Sequence, residues 1–267
     1  MLTLSLETMG LFALGVLWVN TLLIAADALK QHAELGRWRE RLEAARGAGR
    51  LVRATVVAGE GPEAALATHS IDQIGRAMTV SGPQRILFTD RSARGALHGG
   101  RVEVDGREVR VVAASAPLVW CLAEGARGDR AAFDEAWPRA STFKGFGTCV
   151  ERRVGPGQRV WLWLETAPAS ASEAPLRARL VSIEDPSVVV AAARAPLRGL
   201  VIAALVGVVV VTTLALWPPV FGVVSTLGAA AGVGFFLAIQ PLGTAAREKG
   251  ALPDRRRVGG LWERPTA

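Results

Sequence analysis

Apolar residues are spread unevenly along this chain. They gather into long uncharged runs near its two ends, and the stretch between is patterned with polar residues. Residues 11–26 carry no charge, and the run extends back to residue 2 if Glu7 lies at the headgroup level. Residues 199–217 and 220–239 hold no Asp, Glu, Lys or Arg. A bilayer core about 30 Å thick takes roughly 20 apolar residues as a helix, so three transmembrane helices are predicted. Pro218 and Pro219 separate the last two and predict a helical hairpin with a very short turn.

Between the runs the period changes twice. Over residues 28–48, Leu35, Trp38 and Leu42 recur at helical spacing, opposite a face that mixes Glu34, Glu40 and Glu43 with Arg37, Arg39 and Arg41. That predicts a charged helical stalk ended by Gly47 and Gly49. From residue 51 the period is two. LVRATVV, RILFTD and RARLVSIED read as strands, while GPEAALAT reads as a short helix or loop. RVEVDGREVRVV is a predicted hairpin, because Asp105-Gly106 supplies a type I′ turn between two alternating runs. CVERRVGPGQRVWLWLE is read as a second hairpin turning at Gly155, Pro156 and Gly157. Its last strand is apolar on both faces, with Trp161 and Trp163 on one and Val160, Leu162 and Leu164 on the other, which suits a central strand. Residues 129–137 predict a short helix and 167–175 a loop.

The expected fold is a membrane protein with three transmembrane helices and a mainly antiparallel, small barrel-like β domain with minor α content. Its parts are a signal-anchor helix (2–29), a stalk (30–50), the β domain (51–197), a transmembrane hairpin (198–240) and a basic tail (241–267).

Charge adds an orientation. The net charge is +7, and the basic residues flank the apolar runs on one side only. Lys30 and six arginines follow the first, Arg194 and Arg198 precede the second, and Arg247, Lys249, Arg255, Arg256 and Arg257 follow the third. Lys and Arg collect on the cytoplasmic side, so the N-terminus is expected outside, with the β domain and C-terminus cytoplasmic. Residues 1–10 lack the basic n-region of a cleaved signal peptide. Arg-over-Lys usage with abundant Ala and Gly suits a GC-rich bacterial genome, hence a bacterial inner membrane. The basic balance is explained by attraction to anionic lipid. Nucleic-acid binding is not expected, since Tyr is absent and no stacking aromatics cluster with the arginines.

The order of features resembles a known family. A signal-anchor helix precedes a β domain ending directly in membrane helices, with ILFTD, a Gly-rich turn, RVEVDG and later ERRVGPGQRVWLWLE in sequence. This is similar to the GIDE, or beside-a-membrane, domain of mitochondrial-type membrane E3 ubiquitin ligases and their prokaryotic relatives, over roughly residues 51–197. The ligases transfer ubiquitin through a RING held by zinc on Cys and His. Residues 241–267 contain neither, so no RING is expected. The resemblance then implies a binding or regulatory domain beside a membrane.

Candidate chemistry is sparse. His32, His69 and His98 lie far apart without metal-ligand spacing and are expected at the surface; Cys121 and Cys149 are expected as reduced core thiols. No cofactor, metal or catalytic set is indicated. Arg76, Arg85, Asp90 and Arg91 either line a pocket for an anionic ligand or form an exposed, salt-bridged sheet edge, the commoner arrangement. In the third helix, Gly228 and Gly232 present a small-xxx-small face, expected to pack within the hairpin on Ala203, Ala204 and Gly207 in preference to a second copy. Asn20 is placed to bond a neighbouring helix.

The expected function is a membrane-anchored, non-enzymatic binding, regulatory or scaffold protein that meets membrane lipids and a protein partner or small ligand. The alternatives are an E3-like component whose catalytic part another chain supplies, and an oligomeric membrane effector.

Overall fold

The computed structural model describes residues 6–78, 84–121, 130–140, 145–168, 174–216, 225–256 and 258–264. The chain divides into a helical unit, Met1–Glu40 with Val189–Ala251, and a β unit, Arg41–Val188 with Leu252–Ala267.

Three helices supply the first unit: α1 (Leu6–Gly47), α3 (Pro186–Leu216) and α4 (Thr226–Lys249). Each is long and apolar enough to cross a membrane, so the chain has the make-up of an integral membrane protein. At 1.5 Å per residue, the 42 residues of α1 extend roughly 60 Å, about twice a bilayer core. Membrane and stalk are therefore one continuous helix.

Polar side chains join the helices where water is scarce. Trp18 Nε1 donates to Thr212 Oγ1 at 2.9 Å, and Gln240 Nε2 donates to Asn20 Oδ1 at 3.0 Å. The expected bond of Asn20 thus finds its partner in α4. Asp27, near the end of the apolar run, pairs with Arg247 at 3.4 Å. Ser225 begins α4, its hydroxyl accepting from Gly228 N and donating to Leu214 O. Gly228 lies directly against the backbone of Ala215, with no room for a Cβ. Gly228 thus packs on Ala215 of α3, not on the Ala203 and Ala204 named from the sequence. Gly207 instead meets the ring of Phe235, and Gly232 faces Val211 and Leu17. The turn at Pro218 and Pro219 and the middle of the 167–175 loop lie outside the described residues.

The β unit contains β1 (Leu51–Gly59), β2 (Ala67–Ala77), β3 (Arg85–Leu97), β4 (Gly100–Val104), β5 (Arg107–Trp120), β6 (Phe146–Val154), β7 (Arg159–Leu164), β8 (Leu176–Ser182) and β9 (Gly260–Glu263), with the short helix α2 (Arg130–Ala140). Strands β1-β4-β5-β8-β7 close into a barrel, and β6-β2-β3-β9 form a second sheet. The hairpin from β4 to β5 turns where expected, with φ of 49° at Asp105 and 76° at Gly106. Val102, Val104, Val111, Val160, Leu162, Leu164, Ala178 and Val181 fill the barrel. Ala67, Leu97 and Val154 of the second sheet enter the same core, so barrel and sheet are one folding unit. A separate cluster sits under α2, where Phe133 packs edge-on against Trp262 at 5.1 Å and Phe88 lies 5.7 Å from Trp262.

Four expectations are corrected. CVERRVGPGQRVWLWLE is no hairpin: β6 pairs with β2, and β7 with β1 and β8, so the turn at Gly155 to Gly157 carries the chain from one sheet to the other. Residues 67–77, only grazed by the loop reading, form the long central strand β2. The tail from residue 241 is not a tail. Helix α4 runs through Pro241 to Lys249, and β9 pairs with β3. The β domain also ends earlier than 197, at β8, because α3 begins at Pro186.

Trp262 is the apolar anchor of β9. Trp262→Ala is expected to cost about 3–5 kcal/mol, as for large aromatics cut out of a core. Amide hydrogen exchange on the detergent-solubilised chain should show protection lost in residues 260–263 and in residues 85–88, with β7 still protected; unchanged protection in residues 260–263 would show that β9 is held by something else.

Candidate functional site

Strand β3 turns Ile86 and Phe88 inward, and Asp90 follows on the same side, half-buried. Its carboxylate accepts from Gln73 Nε2 at 2.6 Å, from Val258 N at 2.6 Å and from Gly259 N at 3.0 Å. A Cβ on Gly259 would stand 2.7 Å from the carbonyl oxygen of Phe88, so only glycine allows this approach. Arg85, opposite Glu263 in register, pairs with it at 2.5 Å. Arg264 reaches Gln84 at 3.2 Å and Asp134 at 2.9 Å. Asp90 and Arg85 therefore hold the returning chain end onto the sheet. Arg76 is exposed on β2, across from Leu87, with its Cγ beside Gly145. Among the described residues the four sequence candidates do not line one pocket: Arg85 forms an ion pair with Glu263, Asp90 takes uncharged donors, and β3 lies between β2 and β9, not at a sheet edge.

Arg91 has a different position. The register passes from Asp72↔Ser92 to Gln73↔Asp90, which leaves Arg91 as the extra residue of a β-bulge. Bulges re-aim a side chain, and Arg91 lines an open groove of about 630 Å³ over β2, β3 and β6. Asp72 lies across the middle of this groove, facing Ser92 on β3 and Cys149 on β6 in register. Ser92 Oγ donates to Asp72 Oδ2 at 2.6 Å. That hydrogen bond, helped by the Cys149 thiol and the charge of Arg94, holds the Asp72 carboxyl below its ordinary range against a smaller opposing effect of desolvation. Desolvation first, and then the Asp72 charge, push the Cys149 thiol up.

These shifts limit the chemistry. A cysteine acts as a nucleophile through its thiolate, and this thiol is biased toward the protonated form. A carboxylate with a lowered pKa is a weak base, and Ser92 donates to it with no histidine between them. The groove presents the Asp72 carboxylate, the exposed Arg91 guanidinium, the hydroxyl of Thr148 and the ring of Phe146. Asp72 and Ser92 were not singled out in the sequence and Cys149 was read only as a core thiol, because nothing there marks three residues on three strands as neighbours.

Cys149 and the histidines of the β unit also differ from expectation. Cys121 is buried, its thiol pushed up to about 11 by desolvation, whereas Cys149 is exposed. His69 is no surface residue. It points inward from β2 at 2 % exposure, and its Nδ1 has no hydrogen-bond partner among the described residues. His98 is half-buried and shares a hydrogen bond of 2.9 Å with Thr68 Oγ1.

Two outcomes follow from these positions. Asp90→Ala should destabilise the β unit by about 2–3 kcal/mol, since it strands three donors, while Arg91→Gln should stay within about 0.5 kcal/mol; chemical denaturation of both variants measures this. Burial pushes the pKa of His69 below its ordinary 6.5, with Asp254 opposing only in part. The unfolded chain then binds the extra proton first, so stability is full above about pH 6.5 and falls as pH drops through the lowered folded pKa. His69→Gln should flatten that fall between pH 7 and 5 in thermal unfolding; an unchanged slope would assign it elsewhere.

Compared with protein-family models, with curated proteins and with solved structures, the chain matches none.

Proposed function

We propose that this chain is a membrane-anchored binding or scaffold protein, not an enzyme, whose β domain faces the cytoplasm and receives a protein partner in the groove over β2, β3 and β6. The observation that carries the reading is the row Cys149, Asp72 and Ser92 across three strands. Its carboxylate is held by hydrogen bonds and its thiol is biased toward the protonated form, which favours contact over covalent chemistry. Arg91, carried out of the ladder by the bulge, gives the groove a charged contact beside it. Flanking Lys and Arg support the orientation, with the N-terminus outside in a bacterial inner membrane. The resemblance to GIDE domains fits a β domain set between membrane helices. Residues 241–267 carry no Cys or His to bind zinc, so this segment supplies no RING for ubiquitin transfer.

The test is site-specific photocrosslinking in intact membranes. A photoreactive residue at Thr148 should label one protein, and Arg91→Glu should remove most of that product. The same probe at Arg107, exposed on β5, is the control. Equal labelling from both positions, or insensitivity to Arg91, would overturn the groove as the contact surface.

A further inference from the structure

A cleft of about 460 Å³ opens between α1 and α3 within the helical unit. Its walls are His32 and Arg39 on α1 and Arg194 and Arg198 on α3; its floor is Ala191 and Ala195. The spacing follows from helix geometry. Residues 32 and 39 lie two turns apart on one face of α1, and 194 and 198 are neighbours one turn apart on α3. Gly36 lies between the two α1 residues and admits Arg194, whose Nη2 stands 3.7 Å from where a Cβ of Gly36 would be. The Nε of Arg194 is buried without a hydrogen-bond partner among the described residues. Among the described residues no carboxylate lines the cleft.

Bringing the guanidinium groups of Arg194 and Arg198 beside the His32 imidazole around one space is unfavourable unless an anion occupies it, and the small floor leaves that space unfilled. The planar fork of arginine matches phosphate with two parallel hydrogen bonds. The position along the chain selects the source. Arg198 directly precedes the uncharged run of α3, and His32 follows Asp27 by five residues beyond the apolar run of α1. His32 and Arg198 therefore fall near where the apolar helices meet the headgroup layer, with Arg39 further out along α1.

We propose that this cleft binds a phosphate group, that of an anionic phospholipid headgroup at the basic end of the membrane helices. The inference stands apart from the groove on the β unit, and either can fail without the other.

The experiment is native mass spectrometry of the full chain in detergent with added phosphatidylglycerol or phosphatidylcholine. The parent should retain phosphatidylglycerol in preference. The double variant Arg194→Gln with Arg198→Gln should lose about tenfold or more of that retention. Arg107→Gln with Arg159→Gln, which removes the same charge from exposed positions on the β unit, should lose none. Ala195→Glu, an exposed floor position, puts a carboxylate into the cleft and should mimic the first variant even if that one folds poorly. Displacement of the lipid by millimolar inorganic phosphate would assign the cleft to soluble phosphate; resistance to it assigns the lipid. Parent-like retention by both cleft variants, or an equal loss in the control, would overturn the site.

Discussion

Parallel pairing of β5 with β8 closes the barrel, and much of the β unit depends on that one seam. Every other pairing among the described residues of the unit is antiparallel. Strand β8 sits between β5 and β7, so it gives the barrel its last two ladders and buries Leu176, Ala178, Leu180 and Val181. The seam is not regular. Val111 to Ala113 pair with Leu176 to Ala178, and the ladder resumes only at Leu118 with Leu180. Pro117 falls in the gap, where its missing N–H costs no ladder bond. The bulge turns the far end of β5 so that Val119 meets Gly95 of β3. That contact brings the second sheet onto the barrel and lets both share a core.

The second sheet has its own requirement, which is cover for the aromatic side of β3. Phe88, Phe133 and Trp262 provide it, and Trp262 arrives from the far end of the chain. A β strand of four residues is too short to hold by backbone pairing alone. Asp90 and Arg85 supply the missing attachment through charged hydrogen bonds, which are about twice as strong as neutral ones. Residues that looked like ligand chemistry are thereby given to structure, and the proposed contact surface is the neighbouring groove, where Arg91 leaves the ladder.

At the points where the chain enters and leaves the β unit, one arginine serves two contacts. Arg46, in the last turn of α1, makes 2.7 Å contacts to both oxygens of Asp185 and lies over the ring of Trp161 at 5.4 Å. Asp185 also accepts from Ser187 N as α3 begins. One face of the doubly apolar strand β7 is thus buried in the barrel, and Trp161 on its other face is covered by a cation. This is why the outward face of β7 tolerates tryptophan.

Much of the fold was legible because its signals are local. Three uncharged runs declare three membrane helices through the cost of burying charge in lipid, and Asp105-Gly106 declares the β4–β5 hairpin through the dihedral angles that turn needs. Strand β2 was hidden for an equally physical reason. Its inward positions are Ala67, His69, Ile71, Gln73 and Gly75, so burial alternates along it while hydrophobicity does not. The false hairpin at residues 149–165 had two good strands and a good turn, but a turn does not say whether the strands beside it pair with each other. The candidate site depends on exactly such long-range pairing. Cys149, Asp72 and Ser92 become neighbours only when three strands align, and Asp90 gains its role only when residue 258 returns to meet it. Composition and period determined what each segment becomes; register, barrel closure and the return of the chain end decided which side chains meet, because those contacts join residues far apart in the sequence.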